Sequence, residues 1–109
     1  MSASGPPWVP LSVVEQFEPL AQALGVSEVA RGRGGFLPAY RRANGQPSRM
    51  SEHWQAKRAA FLARHGAQLV GEPRMLAGLP TRRVLAMIMW AGMPAGWSTS
   101  RLRGLARRV

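Results

Sequence analysis

Between Val84 and Ala91 the chain carries eight consecutive apolar residues, Val-Leu-Ala-Met-Ile-Met-Trp-Ala. A helix with no polar face has to be buried on most sides. Pro80 and Thr81 precede the run and Gly92 follows it. Thr81 is a good N-cap, so the run predicts a central helix over about 81–92 with shorter helices around it. The expected fold is therefore all-α, a small bundle of four to five helices packed on this buried segment. A chain of 109 residues, 46% of them apolar, has enough material for a single domain with one modest core. Arg82 and Arg83 stand at the mouth of the central helix. The helix dipole there disfavours a cation by about 0.3–1 kcal/mol. Either an anion such as phosphate lies across the entrance, or both arginines point into water.

Charge is unevenly spread. Residues 1–30 hold Glu15, Glu18 and Glu28 and no Lys or Arg. Residues 31–109 hold all 15 basic residues against Glu52 and Glu72, a net of +13. A basic body of this kind implies an anionic partner: nucleic acid, an anionic membrane or an acidic protein surface. Every cation but Lys57 is arginine, the side chain suited to bidentate phosphate and guanine contacts. A GC-rich genome accounts for the same Arg/Lys ratio, but not for the segregation. The chain has no cysteine, which excludes disulfides and cysteine zinc sites. The start, Met-Ser-Ala-Ser-Gly-Pro-Pro-Trp, lacks the pattern of a signal peptide, and the apolar run is too short for a membrane span. The expected location is cytoplasmic.

Along the chain, residues 1–11 read as an irregular N-terminal arm that Trp8 and Val9 dock onto the body. Ser12 and Glu15 have capping-box spacing ahead of an apolar pattern at Val13, Val14, Phe17, Leu20, Ala21 and Leu24. Pro19 is expected to kink that helix or to begin a second one, and Gly25 to stop it. Leu20 to Ala30 has the outline of a helix-turn-helix, with Ser27 capping a short second helix that runs into Gly32; an ordinary helical corner is the alternative. Arg31-Gly-Arg33-Gly-Gly35 is a cationic loop whose amides could converge on an anion or remain solvated. A short helix is expected over 36–43, with Pro38 in its first turn. Residues 51–69 form the clearest amphipathic helix, capped by Ser51. Trp54, Phe61, Leu62 and Leu69 share its core face, with Arg58 and His65 in the same stripe. Those two either line a partner groove or sit at the core boundary, satisfied by carbonyls. His53, Lys57, Ala60 and Arg64 form the flanking stripe, where a cation over Trp54 would gain cation–π attraction. Residues 71–78 read as a connector. Residues 98–109 read as a basic C-terminal helix capped by Ser98 or Ser100, apolar at Leu102, Leu105, Ala106 and Val109. With the central helix it makes a second candidate helix-turn-helix; a basic amphipathic tail is the alternative.

Enzyme chemistry has little to stand on. There is no Asp, and only five Glu and two His are present. Glu52 and His53 diverge by about 100° on a helix. No carboxylate lies at metal-ligand spacing near both histidines, so neither catalysis, a metal nor a cofactor is expected.

Three segments together resemble a family of small uncharacterised proteins of bacteria and their phages. They are Gly35-Phe-Leu-Pro-Ala-Tyr-Arg-Arg-Ala43, then Trp54-x-x-Lys57-Arg58-x-x-Phe61-x-x-Arg64-His65, then Pro80-Thr-Arg-Arg-x-x-Ala86-x-Ile88-Met-Trp-Ala91. The resemblance spans about residues 35–92. It implies only that these segments form one unit, with the ends as additions, and it assigns no activity. A phage- or plasmid-related role is an expectation of the functional reading.

The favoured function is non-enzymatic nucleic-acid binding, to DNA in the first instance, through an arginine-rich surface. The candidate phosphate contacts are Arg31, Arg33, Arg41, Arg42, Lys57, Arg58, Arg64, Arg82, Arg83, Arg101, Arg103, Arg107 and Arg108. Aromatic residues make up only 7% of the chain, which argues against a stacking platform for single strands. The competing function is a protein-interaction module gripping an acidic surface, anchored by exposed Trp8, Met93 and Trp97.

Overall fold

In the computed structural model, which describes residues 6–109, the fold is all-α, with five α-helices of about two turns or more, one single-turn α-helix and a 3-10 turn at Pro47–Arg49. They are α1 (Leu11–Leu24), the one-turn α2 (Glu28–Arg31), α3 (Phe36–Arg42), α4 (Glu52–Leu69), α5 (Arg82–Met89) and α6 (Thr99–Ala106). The apolar run becomes α5, and Val84, Leu85, Met87, Ile88 and Met89 are all buried. α1 packs against it, as does α4, and α6 closes on α1. Ser51, Thr81 and Ser98 accept the amide hydrogens of Trp54, Val84 and Arg101, so the three side-chain caps expected for α4, α5 and α6 form.

Three helices end alike. After α1, Gly25 is left-handed (φ +66°), its amide bonds Gln22 O, and the Val26 amide bonds Ala21 O. After α3, Asn44 takes the left-handed position and Gly45 bonds back to Tyr40 O. After α5, Ala91 takes it (φ +55°) and Gly92 bonds back to Met87 O. This paired return is the Schellman arrangement, which satisfies the last free carbonyls of a helix. Gly92 is therefore not the left-handed residue of the α5 stop. Glycine is needed there because a Cβ would sit 2.4 Å from Leu62 Cδ2.

The capping box at Ser12 does not form: α1 begins two residues earlier than that cap requires, with Pro10 at the N-cap and no side-chain cap. The amides of Val13 and Val14 bond Pro10 O directly, because the preceding arm already fixes the chain up to Val9. α1 also runs through Pro19 without a second start. Proline costs a helix interior about 3 kcal/mol. Pro19 lies on the exposed side, and burial of Val13, Val14, Phe17 and Ala21 opposite holds the helix together.

The 71–78 connector contains a small hairpin, β1 (Met75–Leu76) against β2 (Leu79–Pro80), with Met75 opposite Pro80 and Leu76 opposite Leu79. Ala77 and Gly78 both have positive φ, the signature of a type I′ turn. The described part of the N-terminal arm lies antiparallel to the segment after α5. The Val9 amide donates to Ala91 O at 2.8 Å, and the Met93 amide donates to Pro7 O at 3.1 Å.

Candidate functional site

Arg58 joins the arm to the core. It projects from the inward face of α4 and is 0% exposed. Its Nε donates to Trp90 O at 3.0 Å, and its Nη2 donates to Pro6 O (2.8 Å), Ala91 O (2.8 Å) and Pro7 O (3.2 Å). The guanidinium also lies 3.8 Å from the centre of the Trp8 ring. It has carbonyls and a ring for partners, and none of its hydrogen bonds goes to a carboxylate. Burial pulls its pKa down to about 10, with Tyr40 opposing the shift. Beside it the Tyr40 hydroxyl donates to Val9 O at 2.9 Å, and burial raises its pKa, with Arg58 opposing. Arg58 therefore contacts no external phosphate, contrary to its place among the candidates. It lies deeper than the core boundary because the arm folds over it and supplies the carbonyls.

His65 does sit at that boundary. Its Nδ1 is 3.1 Å from Phe61 O, so that nitrogen carries the proton, and its ring stacks on Phe61 at 3.9 Å. The stack continues inward. Phe61 lies 4.8 Å from Trp90 and Trp90 lies 5.0 Å from Phe36, with interplanar angles of 20° and 28°. Trp54 meets Phe36 edge-on at 6.1 Å. Rings scattered thinly through the sequence are thus gathered from α3, α4 and the end of α5 into one cluster. Between α4 and the α2–α3 corner this cluster opens to solvent as a groove of about 340 Å³. Val29, Gly34 and Gly35 form one wall, and Trp54, Lys57, Ala60, Phe61 and Arg64 of α4 form the other, with Trp90 and Phe36 between them. No carboxylate lines it. Lys57 Nζ stands 5.8 Å from the Trp54 ring, the cation–π contact expected from the sequence. On the other side of Trp54 a second cavity is lined by Arg42, Arg49 and Ser51.

The remaining candidate cations fall into three groups. Arg41 and Arg83 are paired. Arg41 bonds Glu15 at 2.8 Å and also Glu18, and the Glu15 bond leads in raising its pKa. Arg83 bonds Glu72 at 2.7 Å and Gln68 at 2.6 Å. Arg31 and Arg82 donate to backbone, at Val26 O and Leu24 O respectively, and both keep part of their surface in water. Arg33, Arg42, Lys57, Arg64, Arg101, Arg103, Arg107 and Arg108 are exposed. On α6, Leu102 and Ala106 are buried while the arginines face outward, and Arg101 lies 4.7 Å from the centre of the Trp97 ring. Two further arginines, outside the sequence-derived candidates, have defined places: Arg49 lines the second cavity with Arg42, and Arg74 bonds Ala95 O.

Two expected features look different in the structure. Two amides of the glycine loop are used internally: Gly32 N–H bonds the carbonyls of Glu28 and Val29, and Gly35 N–H bonds Gly32 O. Gly35 is required by close approach, since a Cβ there would lie 2.1 Å from Val29 O. At the first helix-turn-helix candidate, Ser27 is left-handed and caps nothing, and α2 is four residues long. Among the anchors of the alternative function, Met93 is buried and Trp8 is half-buried in the aromatic cluster. Among the described residues no three His, Cys, Asp or Glu gather as metal ligands, and no helix is long and apolar enough to cross a membrane.

Comparison of the chain with protein-family models, curated proteins and solved structures finds no match. The resemblance carried by the three sequence segments therefore adds no residue roles to this site.

Proposed function

We propose that the protein binds nucleic acid without catalysing a reaction on it. One observation carries the reading. Among the described residues, ion pairs use Glu15, Glu18 and Glu72 but occupy only Arg41 and Arg83. Most of the basic charge is thus left facing solvent on α4, the α2–α3 corner and α6. Such a surface attracts a polyanion, and each phosphate neutralised releases condensed counterions. Of the two helix-turn-helix candidates, α5–α6 is the stronger, because α6 offers two turns with arginines outward where α2 offers one turn. The reading predicts binding to a 20-base-pair duplex or single strand at low salt, with log K falling linearly in log salt. Replacing Arg101, Arg103, Arg107 and Arg108 by Gln lowers the steepness of that fall by about one for each phosphate no longer neutralised. An absence of binding to any DNA or RNA probe in mobility-shift titration at 20 mM salt refutes the proposal.

A further inference from the structure

The groove beside α4 differs from the rest of the basic surface because its walls are aromatic. Trp54, Phe61 and Trp90 are each partly exposed and line it, and Val29, 86% exposed, faces them from the opposite wall. Lys57 and Arg64 line the same wall as the rings, about 10 Å apart along α4 at seven residues' separation. The Arg42–Arg49 cavity continues the cationic surface past Trp54. We infer that this groove receives an unpaired nucleobase, and that the cations beside it hold the adjoining phosphates of a single strand. This deepens the nucleic-acid reading and rests on it.

Three points favour that occupant. The groove is large enough for a flat base, at about 340 Å³, and is lined by rings to which a base can add its π-face. No carboxylate lines it, so its charge complements a phosphate chain. A base inside a duplex is paired and stacked, so only a single strand or an extruded base can enter. The low aromatic content that argued against a stacking platform is a whole-chain average. The fold concentrates those rings at one face.

The test uses fluorescein-labelled dT15 and a matched 15-base-pair duplex in anisotropy titrations at 50 mM salt. Val29→Glu is the principal variant: its site is solvent-exposed, so the fold is unaffected, yet it puts a carboxylate on the groove wall. Trp54→Ala is the second, with circular dichroism to confirm folding. With a base in the groove, dT15 binds more tightly than duplex and quenches tryptophan emission. Val29→Glu and Trp54→Ala each weaken dT15 by about tenfold while duplex binding changes less than threefold. Equal loss on both probes, or no loss on dT15, overturns the groove assignment while nucleic-acid binding stands. Failure to bind either probe removes the underlying reading. If an acidic amphipathic peptide binds wild type but not Val29→Glu, and dT15 does not compete, the groove belongs to a protein partner and the inference is overturned.

Discussion

Arg58→Met tests how the arm, α4 and the end of α5 are joined. Methionine keeps most of the aliphatic stem but donates nothing. Pro7 O and Ala91 O would keep the amides of Met93 and Val9 as partners. Pro6 O and Trp90 O would lose the donors that Arg58 supplies. A stranded buried carbonyl costs about 1–3 kcal/mol, so two cost about 2–6 kcal/mol. Removing the cation from the face of Trp8 adds about 2 kcal/mol. Against this, removing the guanidinium relieves its desolvation. A pKa pulled down to about 10 corresponds to a penalty of about 3 kcal/mol on the charged form. The balance is a destabilisation of about 1–5 kcal/mol. Buried ion pairs can often be replaced by apolar residues at no loss, but here the partners are backbone carbonyls that no substitution removes. Arg58→Lys keeps the charge without the planar fork and should lose about 1–2 kcal/mol. Arg58→Ala adds a cavity and should lose about 4–5 kcal/mol. Urea unfolding followed by circular dichroism at pH 7 gives the three values. Amide exchange at Val9 and Met93 reports whether the arm has come away. A methionine variant within 0.5 kcal/mol of wild type, with both amides still protected, would refute the reasoning.

Tyr40→Phe strands Val9 O and should cost about 1–2 kcal/mol in the same assay. Its pH dependence has a definite sign: because the folded pKa of Tyr40 is raised, wild type loses that group's stability as pH climbs above 10, and the variant does not. Arg58 acts in the opposite sense, since its depressed pKa makes stability from that group rise as pH climbs past about 10; Arg58→Met lacks this rise. Gly35→Ala drives a Cβ to within 2.1 Å of Val29 O and 2.6 Å of Ala30 O, and thermal melts should register a loss of about 2–3 kcal/mol. Gly66→Ala on α4 meets nothing within 4 Å and should gain about 0.5–1 kcal/mol. Ala77→Asn suits the first position of the type I′ turn, where Ala77 has φ +54°, and should raise stability by about 0.5 kcal/mol. A drop in melting temperature for Ala77→Asn would contradict the turn assignment.

The local features of this chain were legible in its residues. Ser51, Thr81 and Ser98 mark three helix starts, and Gly25 marks a helix end, because capping depends on groups a few positions apart. The unbroken apolar run required burial wherever it folded, and it became the centre. The residues also showed that the body is cationic. Periodicity put Arg58 in the core stripe of α4 and Arg64 on its flank, but it left open whether Arg58 lined a partner groove or was satisfied within the fold, where it is fully buried. That outcome depends on the arm, fifty residues away, laying its carbonyls over α4. The groove has the same origin. Its rings come from positions 36, 54, 61 and 90, on two helices and the residue after a third, and periodicity within one helix says nothing about rings on another. Tertiary packing alone gathered them, because burying ring area at a shared contact is a property of the assembled helices.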